Sequence, residues 1–253
     1  MQVVCKAARL VGRLNMQLGT GFYYLYAITN KMKNLKGITL IFFLVIAGLS
    51  SVAQKIISEG TIVYDVVIQT GDKEPQKGDA LQGATSTIYL KANNSRTDLV
   101  SALGKEITIY NSKTDNAVIL KEFSGQKLMI ELTKENWKSK NKMYSDIKYE
   151  LTSEVKNISG YNTKKAIANM PDGKSFVVYY VPDLVVANKA YDATFTNLPG
   201  LPIQYEIESG KMKFRYTISK ISYDPVLVSQ FDFPTSGYRV MTYEENQKMK
   251  RGN

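Results

Sequence analysis

Across residues 60–221 apolar and polar side chains alternate with a period of two, and the apolar positions are mostly β-branched or aromatic. A strand sends successive side chains to opposite faces, so this pattern demands a half-buried sheet; an amphipathic helix would repeat every 3.6 residues instead. Strands are expected near 60–69, 84–91, 95–101, 105–111, 116–122, 126–132, 147–156, 162–169, 174–181, 203–209 and 211–221. Asn93-Asn94, Pro171-Asp172-Gly173 and Ser209-Gly210 supply short turns between such runs, which favours hairpins and an antiparallel meander. Residues 134–144, capped by Thr133, read as one internal helix, and Thr242 with Glu245 makes a capping box for a short polar C-terminal helix. The polar, glycine-containing stretch 71–83 reads as a loop.

One hairpin carries an explicit register. A two-residue loop at Ser209-Gly210 opposes Glu208 to Lys211, and on the next rungs Ile207 to Met212, Tyr205 to Phe214 and Ile203 to Tyr216 on one face. Glu206 then opposes Lys213 on the other face, and each opposite-charge pair contributes about 0.2–1 kcal/mol. A one-residue slip would turn the whole apolar set outward.

Residues 32–53 have the three parts of a secretory signal peptide. Lys33 and Lys36 form a basic start, residues 38–49 an apolar run, and Ser51 and Ala53 the small residues before a cut ahead of Gln54. The alternative, a membrane anchor, needs about 20 apolar residues, more than this run offers. Gln54 stands where lipid attachment would require a cysteine, so a mature chain of residues 54–253 is expected to be a single β-rich domain, periplasmic or extracellular and not lipid-anchored. Residues 1–31 precede a second methionine, Met32, and read as an upstream extension from a misassigned start; a genuine longer leader is the alternative.

Compartment decides how the charge is read. The formal net charge is +10, but six basic residues and no acidic one lie in the leader; removing them from the 33 leaves 27 against 23 acidic residues. That near-balance removes the electrostatic argument for a nucleic-acid partner. The only cysteine, Cys5, also lies in the leader, so the mature domain has no disulfide and relies on its core.

Chemistry is sparse. The chain has no histidine, which removes the usual general base near neutral pH and the commonest metal ligand. Ser-x-x-Lys occurs at Ser124/Lys127, Ser139/Lys142, Ser145/Lys148 and Ser153/Lys156, a frequency that a lysine-rich chain reaches by chance, without the companion motifs of serine-lysine enzymes. No phosphate loop, dinucleotide fingerprint or calcium loop is present in residues 54–253, and no cofactor or metal is expected. Asn93-Asn94-Ser95 and Asn157-Ile158-Ser159 fit the glycosylation pattern, relevant only to a eukaryotic secretory route.

Two features remain. Tyrosines and phenylalanines gather late in the chain, from Tyr179 to Tyr223, as core or as the lining of an apolar pocket. Leu198-Pro199-Gly200-Leu201-Pro202 reads as a stiff corner with Gly200 at positive φ in a type II turn, either a structural plug with both leucines buried or a lid.

That corner, after Phe195-Thr196-Asn197 and before Tyr205-Glu206, resembles the signature of the GLPGLI family, exported proteins of Bacteroidota with no assigned activity. Ile158-Ser159-Gly160-Tyr161-Asn162-Thr163-Lys164-Lys165-Ala166 and Val178-Tyr179-Tyr180-Val181-Pro182-Asp183 resemble two further segments of it. Thr163 stands where relatives often have cysteine, and Asn197 and Pro202 replace the Gly and Ile of the motif, as in a neighbouring subfamily. The resemblance implies an envelope location and a curved antiparallel sheet like the half-barrels of lipoprotein carriers. Together these readings give a mainly β fold, a single curved antiparallel half-barrel with one or two short helices, the internal one near the open side. The expected function is non-enzymatic binding of a lipid or other apolar or amphipathic ligand, with Leu198, Leu201, Tyr205, Ile207, Phe214 and Tyr216 as candidate lining. The alternatives are a structural or interaction protein with a filled core, whose partner is another envelope protein, and, third, a hydrolase. No nucleic acid and no membrane span after cleavage are expected.

Overall fold

The computed structural model describes residues 54–70, 83–210 and 212–251, which belong to one compact unit. The leader boundaries and most of the 71–83 loop lie outside the described residues. Fourteen strands are present among them: β1 (Lys55–Ile57), β2 (Glu59–Thr70), β3 (Ala84–Lys91), β4 (Asn94–Ser101), β5 (Gly104–Asn111), β6 (Asn116–Phe123), β7 (Gln126–Leu132), β8 (Lys148–Ile158), β9 (Tyr161–Asn169), β10 (Ser175–Val181), β11 (Leu184–Val186), β12 (Leu201–Ser209), β13 (Met212–Ser222) and β14 (Arg239–Thr242). Helix α1 spans Lys134–Ser145 and α2 spans Tyr243–Arg251. Thr133 caps α1 reciprocally with Asn136, and Thr242 and Glu245 exchange the two bonds of the expected capping box on α2.

Twelve strands form one open sheet in the order β14-β7-β6-β5-β4-β3-β2-β13-β12-β10-β9-β8, antiparallel throughout except for β14 beside β7. Register shifts in β8·β9, β10·β12 and β13·β2 bend individual strands, which is how a long sheet acquires curvature. The meander β2 to β7 is the expected one. Sequence did not find β1 and β11, a separate parallel pair, or β14; at three or four residues each they are too short to show a period.

Register sorts side chains onto two faces. One inner row reads Ile221, Ile62, Ile88, Thr97, Thr108, Ile119, Ile130 and Met241 across eight strands. Around β2 and β12 this face carries the main core, in which Tyr64, Ile62, Leu198, Leu201, Ile203 and Ile218 are almost fully enclosed, and residues 184–198 cover it. Enclosing each Leu or Ile contributes roughly 1.5–3 kcal/mol. The Tyr64 hydroxyl donates to the Pro202 carbonyl at 2.7 Å, so the ring is buried without an orphaned polar group.

At β5–β7 both faces are covered, and β6 accordingly reads as an unbroken apolar run, Ala117-Val118-Ile119-Leu120. Inside, Trp137 of α1 stacks on Tyr110 with ring centroids 4.4 Å apart. Outside, Ile107, Ile109, Val118, Leu120 and Met129 pack against Phe231 and Tyr238 of the segment that returns from β13 to β14. Polar bonds pin that segment: Lys91 donates to the Val226 carbonyl, Arg96 to that of Gln230, and the Val226 N–H donates to Glu59.

Three local readings are corrected. The first hairpin turns at Ala92-Asn93, one residue earlier than expected, with Lys91 opposite Asn94 and Ala92 at φ +50°. The β12–β13 ladder closes at Ser209 opposite Met212, not at Glu208 opposite Lys211. Tyr205 therefore faces Tyr216 and Ile207 faces Phe214, while the cross-strand ion pairs become Glu208–Lys213 at 3.4 Å and Glu206–Arg215 at 3.1 Å. Gly210, at φ +62°, serves as the first loop residue, where the expected loop would have required a positive φ at Ser209. The register moves by two residues, so every side chain keeps its face.

Gly200 is the third correction, because it does not take a positive φ. A Cβ there would lie 2.2 Å from the Val181 carbonyl oxygen and 2.8 Å from the Tyr180 ring. Glycine is required by the close approach of β12 to β10.

Candidate ligand-binding site

The structure divides the six candidate lining residues. Leu198 and Leu201 are each 1 % exposed in the core and border only a void of about 10 Å3, so the corner is a plug and not a lid. Phe214 packs against the same core. Tyr205, Ile207 and Tyr216 do line a pocket of about 190 Å3 on the inner face, with Ser86, Leu99, Glu106 and Asp192.

That pocket is narrow and acidic. Tyr205 and Tyr216 stack with centroids 4.7 Å apart, and the Tyr64 ring meets both edge-on. Burial holds the Asp192 carboxyl above the ordinary carboxylate range, although the N–H of Thr194 and the charge of Lys140 act in the opposite direction. Burial, then the Asp192 charge, raises the Tyr216 phenol, and Tyr64 is raised in the same way. Glu106 pairs with Lys121 at 2.6 Å. A space this size takes a small polar molecule and excludes a long acyl chain.

A second cleft, of about 840 Å3, opens where β10 and β12 diverge beyond the Val178–Tyr205 rung. Its rim is charged and internally compensated: Lys174 with Asp172 at 3.8 Å, Arg215 with Glu206 at 3.1 Å, and Lys165 with Glu154 at 2.8 Å. Such a surface is satisfied by water and its own ion pairs.

The third space is different in character. A half-open groove of about 710 Å3 lies at the β5–β7 end of the sheet, bounded by Ile109, Val118, Leu132, Phe231, Phe233 and Val240. It exists because the outer cover is incomplete: Phe231 is packed down, while Phe233 and Val240 are exposed on either side. Ile109, Val118 and Glu131 are one cross-strand row, so a glutamate sits in an otherwise apolar strip. The caps Thr133 and Thr242 bring the first turns of α1 and α2 to its rim. Sequence reasoning missed this site, for its walls come from segments more than a hundred residues apart. The one available signal was Phe231-Asp232-Phe233-Pro234, aromatic residues in a stretch without strand alternation.

Among the described residues, no helix is long and apolar enough to cross a membrane, and no cluster of acidic, histidine or cysteine residues could hold a metal ion. No protein-family model matches the chain, and no curated protein is similar to it in sequence. Solved structures similar to it include PNGF-II, with 14 % identity and a TM-score of 0.46 over 75 % of this chain and 33 % of that one. MucB is similar at 10 % identity and a TM-score of 0.36, over 71 % of this chain and 58 % of its own. The chain thus spans about a third of the first and little more than half of the second.

Proposed function

We propose that this chain is an exported, non-enzymatic protein of the cell envelope that holds an amphipathic ligand in the groove between Phe231, Phe233, Val118 and Val240. One observation carries the reading. The groove offers about 710 Å3 with Ile109, Val118, Leu132, Phe231, Phe233 and Val240 on its walls and polar groups at its rim, where the outer cover of the sheet is incomplete. Ligand sites usually measure about 300–1,000 Å3, mostly apolar with a few polar groups. Export rests on the signal-peptide pattern of residues 32–53 and on the resemblance to the GLPGLI family; the non-enzymatic reading rests on a sequence without histidine or a mature cysteine.

Native mass spectrometry of protein purified from its own host tests this. The wild type is expected to carry an amphipathic adduct that Phe233→Asp loses, with an unchanged melting temperature because Phe233 is already 43 % exposed. An adduct retained by that variant, or a wild type that neither carries nor takes up an amphipath, counts against the groove. The packed inner face favours a second reading, a structural or interaction protein with a filled core. That reading gains if the groove stays empty while a second envelope protein co-purifies.

A further inference from the structure

We propose that the ligand's polar end is a cation, an ammonium or guanidinium group; this rests on reading the groove as an amphipath site. The argument is charge complementarity. The charged side chains lining the groove are Glu131, Glu244 and Glu245, and no lysine or arginine is among them, although residues 54–253 hold 27 basic against 23 acidic residues. Lys134, which opens α1 next to the lining residue Thr133, is held by Asp115 at 2.8 Å. An anionic headgroup would meet three carboxylates and no free base.

Two of these carboxylates are fixed in place. Glu244 accepts from the Asn136 side chain at 2.7 Å, and Glu245 from the Thr242 N–H at 2.8 Å. Hydrogen bonding from its own N–H and from Asn136 holds Glu244 below the ordinary carboxylate range, so it is ionised at neutral pH. Glu131 is exposed in the row Ile109, Val118, Glu131, and Thr242 lies opposite it on β14. A cation there would also lie among the rings of Phe231, Phe233 and Tyr243, whose faces attract positive charge.

The opposing effect is the two helix N-termini at the rim, each worth roughly half a positive charge and favourable to anions. Both are occupied by their own caps, Thr133 with Asn136 and Thr242 with Glu245. Glu245 already compensates the α2 terminus, so what remains is Glu131 and Glu244 against an α1 terminus capped by Thr133 and Asn136, and the net field favours a cation.

Calorimetric titration of the mature protein with three probes sharing a twelve-carbon tail separates the possibilities. Below their micellar concentrations, dodecyltrimethylammonium is expected to bind at least about ten-fold tighter than dodecanoate, with dodecyl maltoside between them and the gap narrowing in salt. Glu131→Gln combined with Glu244→Gln should shrink that gap, chiefly by weakening dodecyltrimethylammonium. Equal affinities, or a preference for dodecanoate, overturn the cation inference and leave the groove standing. If none of the probes binds, or if binding of the uncharged dodecyl maltoside survives Phe233→Asp, the groove reading itself fails and the cation inference with it.

Discussion

Two regions of this sheet, the interior at β2, β13 and β12 and the side at β5–β7, bury their residues differently. Around β2, β12 and β13 the inner face carries one enclosed cluster around Tyr64, and β2, wet on its other face, alternates between buried and more exposed residues. At β5–β7 both faces are covered, by α1 inside and by the β13–β14 connection outside, and the strands there are apolar on both sides. The face closed by residues 184–198 keeps only a narrow pocket of about 190 Å3. A face closed by a strap that stops short leaves a groove, with apolar side chains such as Phe233 and Val240 at its edge. The same burial that stabilises the second region therefore also leaves a wide groove, whereas in the first it leaves only a narrow pocket.

The largest expected effect belongs to the sealed region. Leu201→Ala should lower stability by about 2–5 kcal/mol, the range for emptying an enclosed leucine site, as measured by urea unfolding. A loss well under 1 kcal/mol would show that the corner is not a plug. Gly200→Ala comes next, at about 1–3 kcal/mol, since its Cβ must displace the Val181 backbone. Gly200→Ser should cost at least as much; a tolerated Ser would mean that β12 can move away from β10.

A smaller and pH-dependent effect is expected at Asp192. Burial raises its carboxyl pKa in the folded state, so between the ordinary carboxylate pKa and that raised value the folded protein binds more protons and stability falls as pH rises. Asp192→Asn should then be more stable than the wild type at neutral pH, and the advantage should vanish below the ordinary carboxylate range. Glu59 and Asp115 act oppositely: lysine hydrogen bonds, first among the causes, hold them low, so their contribution is present above the ordinary carboxylate pKa and lost on acidification. Melting temperatures across pH for wild type and Asp192→Asn measure both; a difference that does not vary with pH would remove Asp192 from the account.

The smallest effect is expected at the open region. Val240→Asp, at a position 56 % exposed, should change stability by less than about 0.5 kcal/mol while abolishing uptake of the uncharged dodecyl maltoside. If Val240→Asp instead destabilised the fold as Leu201→Ala does, the contrast between sealed and open regions would collapse.

Alternation and turn chemistry were enough to read eleven of the strands and both helices, because each is decided by residues within a few positions of one another. The Thr133 and Thr242 caps belong to the same class: their partners lie three residues away. The β12–β13 register marks the limit. Sequence placed Tyr205, Ile207, Phe214 and Tyr216 on one face but not opposite their true partners, since a two-residue shift preserves the face and only loop geometry separates the two registers.

What the sequence determined by itself was thus the sheet, its faces and the stiffness of the corner at 198–202, all consequences of local periodicity and backbone chemistry. Only the tertiary structure decided that Gly200 is needed for space and not for its φ, and that Leu198 and Leu201 fill the core. It alone brought Phe233 and Val240 alongside Val118 across more than a hundred residues. The physical reason is the range of the forces involved. Strand alternation is written in neighbouring residues, whereas a cavity is what remains after distant segments have packed, and no local pattern records how completely they cover one another.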